Sequence, residues 1–298
     1  MPKIFTSCLL VFALSVSATI THAQEKDLLT QIKEIAPEAK GVVGVSILGL
    51  ESGDTLNYNG NSRLVLHSVM KFPIAMTVLN LVDKGKYKLD QKVKVSKKDM
   101  LSKNMYSPLR DKYPDGTEIS LSELLSYMVS QSDNTACDFL LSKIGGPAVV
   151  EAYIQSLGIK GIAINASESE MAAAWEVQYT NWSKPAAMVH LLDILYHDKA
   201  LSKTSNDFLL KVMTETTTGP KRIKGLLPAD AVVAHKTGTS PTNSEGLSPA
   251  TNDVGIITLP NGKHLAIAIF VCNSTADETT RELVIAKIAK AAWDVYGR

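Results

Sequence analysis

The stretch Leu66–Met76, LHSVMKFPIAM, decides how the rest of the chain must fold. From Phe72 onward the run Phe72, Ile74, Ala75, Met76, Val78, Leu79, Leu81 and Val82 is apolar nearly all round, the pattern of a buried central helix. At its head stand Ser68 and Lys71, three residues apart and therefore on one helix face, whereas Val69 and Met70 point elsewhere. A lysine in that position is costly unless it is used. Burial disfavours the ammonium form, so a desolvated lysine can accept a proton from a neighbouring hydroxyl nucleophile. The plain alternative is a helix start capped by Ser68, with Lys71 snorkelling to water. Two fixed letters arise about once by chance in a chain this long, so the pair has to be judged with the rest of the sequence.

The chain has 298 residues, of which 45% are hydrophobic and 20% charged, with a formal net charge of +1. That composition is ordinary for a globular protein. The near-neutral balance gives no electrostatic case for nucleic acid or an anionic membrane surface as partner, so small-molecule chemistry is expected. The N-terminus, MPKIFTSCLLVFALSVSATITHAQEKD, carries Lys3, an apolar run from Cys8 to Val16, and a small-x-small end at Thr21, His22 and Ala23. It reads as a signal peptide over residues 1–23, cleaved after Ala23, which predicts a soluble periplasmic protein. The apolar run is short for a membrane span. Cleavage leaves Cys137 and Cys272, for which a disulfide and two separate buried thiols both stay open. The six histidines show no paired ligand spacing, so neither a metal nor another cofactor is expected.

Leu28, Leu29, Ile32 and Ile35 predict a helix over Glu25–Ile35. The strand patterns GVVGVSILGL and DTLNYNGN follow, joined at Glu51-Ser52-Gly53. From Ser68 to about Thr214 the periodicity is mostly helical, with ends marked at Gly145-Gly146 and Gly158. Strands return in AVVAHKTGTS, NDVGIITLP and KHLAIAIFVCN, and a last helix is predicted over Asp277–Tyr296. This order gives an α+β fold: an antiparallel sheet flanked by terminal helices, with an all-helical domain inserted. The expected units are an α/β domain over 24–66 and 215–298 and an all-α domain over 67–214, with the site in the cleft between them. Residues 160–182 are long for an irregular connection without a function, and carry Glu168 and Glu170 at their polar centre.

Two further motifs follow the first. QSDNTA supplies Ser132, Asp133 and Asn134 in a turn before a helix, and AHKTGTS supplies Lys236, Thr237, Gly238 and Thr239 at the end of a strand pattern. Each alone is a common turn or strand exit; all three in one chain make coincidence a poor account. Ser-x-x-Lys, Ser-Asp-Asn and Lys-Thr-Gly in that order resemble the penicillin-recognising serine enzymes. With Tyr106 in NMYSPL and a glutamate between the last two motifs, essentially the whole mature chain resembles a class A β-lactamase. The segment SESEMAAAWEVQYTNW is most similar to the PER- and VEB-type extended-spectrum branch.

The resemblance implies a β-lactamase-like α/β sandwich that hydrolyses the amide of penicillins and cephalosporins, acting as a monomer and conferring antibiotic resistance. Ser68 would attack the lactam carbonyl, with Lys71 or a water held by Glu168 taking its proton. The backbone N–H groups of Ser68 and Thr239 would form the oxyanion hole. Ser132, between Lys71 and Lys236, would return a proton to the leaving nitrogen. Asn134 would hold Lys71 and the substrate amide, with Tyr106 at the substrate, and Asp133 would tie its own turn. Lys236, Thr237 and Thr239 would receive the substrate carboxylate. Arg222 would grip that carboxylate bidentately, because Val254 holds the place of the arginine many class A enzymes carry. Glu168 is the expected deacylating base, with Glu170 as competitor.

The segment also departs from the family. Ala166 replaces the usual arginine two residues before the glutamate, Ala172 replaces an asparagine that shares the water, and Asp138 stands where an asparagine braces the loop. These changes leave the path of the loop and its peptide isomer open. They also point to a wider cleft that admits cephalosporins with bulky side chains. The rival readings are a D-alanyl-D-alanine carboxypeptidase, which lacks the deacylating glutamate, and a β-lactam sensor that stays acylated.

Overall fold

The computed structural model describes residues 22–298. Helix α1 (His22–Ile35) precedes the hairpin of β1 (Val42–Gly49) and β2 (Thr55–Tyr58), and a two-residue strand β3 (Leu64–Val65) leads into α2 (Lys71–Asp83). Strands β4 (Lys92–Ser96) and β5 (Gly116–Ser120) pair around the short α3 (Pro108–Lys112), followed by α4 (Leu121–Ser130), α5 (Asn134–Ile144) and α6 (Pro147–Ser156). Between β6 (Ile162–Ala163) and β7 (Trp182–Ser183) lie α7 (Glu168–Ala173) and a 3₁₀ turn over Trp175–Thr180. Then come α8 (Pro185–Tyr196), α9 (Lys203–Thr214), β8 (Val233–Thr239), β9 (Ser248–Thr258), β10 (His264–Ser274) and α10 (Glu278–Tyr296).

Local sequence sets many of these ends. Ser120 and Glu123 form a capping box on α4, Ser167 and Glu170 form one on α7, and Asp133 and Asp277 cap α5 and α10. Helix α5 stops at Gly145, whose φ of 107° lies in the left-handed region that glycine adopts without penalty. The first helix begins at His22, three residues before the sequence expectation, and includes the predicted cleavage position. The rest of the expected signal peptide lies outside the described residues. Among those residues no helix is long and apolar enough to cross a membrane.

The main sheet is antiparallel in the order β2-β1-β10-β9-β8. Its central strand β10 is buried on both faces, and its alternate residues feed two cores. Leu265, Ile267, Ile269 and Val271 pack with α1 and α10, including Leu28, Ile32, Ile285 and Ile288. Ala266, Ala268, Phe270 and Cys272 face the helical side, where they join the core built around α2. Along α2 every residue from Lys71 to Leu79 is buried, as the apolar run predicts. Cys137 and Cys272 are separate, buried, free thiols rather than a disulfide. Burial pushes both thiols up, Cys272 to about 12.

Candidate active site

The site forms where β3, α2, α5, the 160–182 segment and β8 meet. Ser68 sits in a 3₁₀ turn, His67–Met70, immediately ahead of α2 rather than in the helix itself. Strand β3, which feeds that turn, pairs with β7, and β7 also pairs with β6. The small sheet therefore closes the two ends of the 160–182 segment into an Ω shape and docks them beside the nucleophile turn. The segment is not irregular: α7 and the 3₁₀ turn fill it, and among the described residues no peptide bond is cis.

Lys71 is wholly buried and forms the hub. Its Nζ lies 2.9 Å from Ser68 Oγ, 2.8 Å from the Ser132 carbonyl, 2.6 Å from Asn134 Oδ1 and 2.9 Å from Glu168 Oε1. Ser68 Oγ in turn donates to Glu168 Oε1 at 3.2 Å. Burial alone would raise the Glu168 carboxyl, but the charge and hydrogen bond of Lys71, with help from His67 and Ser68, hold it below the ordinary carboxylate value. Glu170 points away; its carboxylate closes the capping box with Ser167 and is exposed.

Ser132 has a left-handed φ of 57°, and its Oγ sits 2.9 Å from Lys236 Nζ and 3.4 Å from Lys71 Nζ. Burial pushes the Lys236 ammonium well below the ordinary lysine value, and the like charge of Lys71 adds to this. Asp133 caps α5 and ties the loop around it: it accepts from Leu109 N at 2.7 Å, Ala136 N at 2.8 Å and Ser107 Oγ at 3.0 Å. Gly238 lets β8 approach the nucleophile turn, since a Cβ there would lie 2.5 Å from Leu66 O and 3.2 Å from Val69 N. Thr239, next to Gly238, and Ser68 both line the cleft.

The cleft has a volume of about 640 Å³, in the range of small-molecule sites. Ser68, Ser132, Asn134, Glu168, Tyr106, Thr237 and Thr239 all line it. Met105, Met171, Ala172 and Trp175 add an apolar wall. Among the described residues no cluster of His, Cys, Asp or Glu could hold a metal ion.

Arg222 takes a different position from the one expected. It is 3% exposed and sits behind β8, outside the cleft lining. Its guanidinium is already committed: to the Gly238 and Asn252 carbonyls at 3.0 Å each, to Glu282 at 3.1 Å, and to Thr239 Oγ1 at 2.7 Å. A direct bidentate grip on a ligand is therefore not what the geometry offers; Arg222 reaches the cleft through Thr239. Thr218, absent from the sequence reading, lines the cleft and shares a 2.6 Å hydroxyl contact with Thr237.

The Ω segment also has a clamp that no sequence motif marks. Asn181 Oδ1 accepts from Asn165 N at 2.7 Å and Ala166 N at 3.0 Å, and its Nδ2 donates to Ala166 O at 2.8 Å. A buried amide thus grips the backbone of the residue where the family's arginine would stand. Asp138 accepts from Glu168 N at 2.8 Å and Ser169 N at 2.9 Å, bracing the start of α7. Burial raises the Asp138 carboxyl in spite of those bonds. No motif marks Asn181; only its hydrogen bonds to a residue 15 positions away do.

Comparison with known proteins agrees with this geometry. The model of the β-lactamase enzyme family matches residues 27–296. The chain is 41% identical over 290 residues to β-lactamase VEB-1 of Pseudomonas aeruginosa, covering 97% of this chain and 96% of that protein. It is 43% identical over 280 residues to the extended-spectrum β-lactamase PER-1 of the same species, covering 94% and 90%. The crystal structure of a β-lactamase from Chitinophaga pinensis superposes with a TM-score of 0.89 at 54% identity, covering 90% of this chain and 98% of that one. With its three motifs gathered on one cleft and its whole length matched, the chain belongs to the β-lactamase enzyme family, in class A and on the branch of VEB-1 and PER-1.

Proposed function

We propose that the cleft hydrolyses the β-lactam amide through a Ser68 acyl-enzyme that Glu168 clears. One observation carries the reading: Lys71 Nζ donates to Ser68 Oγ, and Ser68 Oγ donates onward to Glu168 Oε1. The hydroxyl is thereby aimed at an ionised carboxylate, which supports Glu168 as the terminal proton acceptor during attack. As Ser68 Oγ bonds to the lactam carbon, its proton leaves toward Glu168 and the carbonyl becomes an oxyanion. The backbone N–H groups of Ser68 and Thr239 would stabilise that charge, a contribution of about 10²–10³ in rate per donor in comparable enzymes. Collapse breaks the C–N bond, and Ser132 passes a proton to the departing nitrogen, replenished from Lys71. Asn134 and Tyr106 hold the substrate. Lys236, Thr237 and Thr239 receive its carboxylate, with Arg222 orienting Thr239. Glu168 then passes the Ser68 proton to Lys71, 2.9 Å away, which restores the lysine that resupplied Ser132. As a carboxylate again, it removes a proton from water as the water attacks the ester and returns that proton to the departing Ser68 Oγ.

The apolar wall of Met105, Met171 and Trp175, and the small Ala172 beside it, support turnover of cephalosporins with bulky side chains. The N-terminal pattern supports export to the periplasm, and a cleft complete within one chain supports action as a monomer.

The test is mass spectrometry of the mature protein mixed with a cephalosporin, sampled from milliseconds to minutes, beside Glu168→Ala. A transient adduct on Ser68 that clears in the wild type and persists in the variant is the expected result. A wild-type adduct that never clears would make this a penicillin-binding protein or sensor instead, and the absence of any adduct would refute the mechanism.

A further inference from the structure

The residue before the nucleophile has a backbone that few side chains accept. His67 has a φ of 45°, in the left-handed region where histidine, asparagine and aspartate are enriched among non-glycine residues. It is 7% exposed at the cleft wall, which Gln178 also lines, and its Nε2 meets Gln178 Oε1 at 2.7 Å across 111 residues of sequence. Gln178 is 3% exposed, and its Nε2 donates to Trp175 O at 2.7 Å. That second bond fixes the amide. Its Oε1 is left as acceptor, so the imidazole proton sits on His67 Nε2. Burial holds the imidazole below its ordinary value, and Lys71 acts in the same direction against Gln178 and Glu168.

The Ω segment has other attachments, at α5, at its own start and at the nucleophile turn. Asp138 on α5 holds the backbone of Glu168 and Ser169, and Asn181 holds Asn165 and Ala166. Asn181, at the end of the 3₁₀ turn Trp175–Thr180, also reaches the nucleophile turn, its carbonyl accepting from Leu66 N at 3.0 Å and its Nδ2 donating to Met70 Sδ at 3.1 Å. The His67–Gln178 bond adds a tie from within the 3₁₀ turn to the residue adjacent to the nucleophile. Through Gln178 it also fixes the carbonyl of Trp175, which lines the cleft.

We propose that His67 and Gln178 form a latch that positions the Ω segment, and with it Glu168, against the acylated Ser68 during deacylation. The inference rests on the reading of Glu168 as the deacylating base. His67 and Gln178 are positioning residues; neither exchanges a proton with the substrate. Attack on the lactam is served by Lys71, Ser132 and Asn134 as well as by Glu168, whereas clearing the ester depends on Glu168 and its water. Loosening the latch therefore slows clearing more than formation of the adduct.

The test is the time course of a cephalosporin adduct in the wild type, His67→Asn, Gln178→Ala, the double variant and His67→Gln. Asparagine tolerates the left-handed backbone but stops short of Gln178; glutamine restores a donor of similar reach. Each single variant is expected to clear the adduct about 10-fold more slowly, the equivalent of about 1.4 kcal/mol, with formation less affected. The double variant should be no slower than the slower single one, because both lose the same bond, and His67→Gln should recover most of the rate. If His67→Asn does not fold, Gln178→Ala breaks the same bond from the other side. Unchanged clearing in Gln178→Ala, losses that multiply in the double variant, or equal losses in formation and clearing would overturn the latch. A wild-type adduct that never clears is a different failure: it removes the deacylation reading itself and the latch with it.

Discussion

Removing the side chain of Asn181 should loosen the Ω segment and lower the stability of the whole protein. Asn181 is fully buried, and in Asn181→Ala the N–H and C=O of Ala166, itself 3% exposed, lose their partners where water does not readily replace them. Each orphaned buried group costs about 1–3 kcal/mol. Asn165 is exposed and re-forms its bond with water, so it adds little. Local opening of the segment limits what the global equilibrium registers, which places the loss at about 2–3 kcal/mol. At about 2–4 °C per kcal/mol for a chain near this size, the melting temperature should fall by about 4–12 °C. The assay is thermal melting by circular dichroism, with hydrogen exchange across 160–182. Asn181→Asp gives a control with a signed pH dependence. It keeps an acceptor for Ala166 N but buries a carboxyl whose ionised form is disfavoured, so its pKa rises on folding and stability is lost as pH rises through the shifted value. An Asn181→Ala variant that melts with the wild type and shows unchanged exchange at Ala166 would refute the reasoning.

Two further outcomes follow from the site. The Glu168 carboxyl is held below its ordinary 4.5 chiefly by Lys71 acting against burial. Stability and deacylation that depend on its charge should therefore persist above the ordinary carboxylate range and disappear only as pH falls through the lowered value. In Lys71→Ala, burial acts unopposed by that lysine, so the acid limb for clearing a preformed adduct should move to higher pH; an unmoved limb would show that Lys71 does not set it. For Arg222→Ala, loss of the 2.7 Å bond to Thr239 Oγ1 should raise KM about 10-fold for a carboxylate-bearing substrate, the equivalent of about 1.4 kcal/mol. Because Glu282 already pairs with Arg222, Glu282→Gln should leave KM near the wild-type value or lower it. Steady-state kinetics on both variants decide this, and an unchanged KM in Arg222→Ala would remove Arg222 from recognition.

What the sequence alone determined is what is written in short range. The apolar run of α2, the strand pattern of β10 and the glycine stops at Gly145-Gly146 and Gly158 state their local structure through period and terminator. The three motifs state their chemistry through residue type and spacing. These were enough for an antiparallel sheet with terminal helices and a helical insertion, and for the family. Tertiary structure decided whatever depends on which distant residues meet. Arg222 could be read as a cation near the cleft, yet its carbonyl, Glu282 and Thr239 partners exist only after β8, β9 and α10 have packed. Ala166 could be read as a missing salt bridge, but its replacement by Asn181 is a side chain bonding to backbone, which every residue type offers equally and no sequence pattern marks. The same holds for His67 and Gln178. Their bond needs a left-handed backbone, two buried side chains and a fixed tautomer, conditions that arise when β3 and β7 pair and bring the Ω segment against the nucleophile turn.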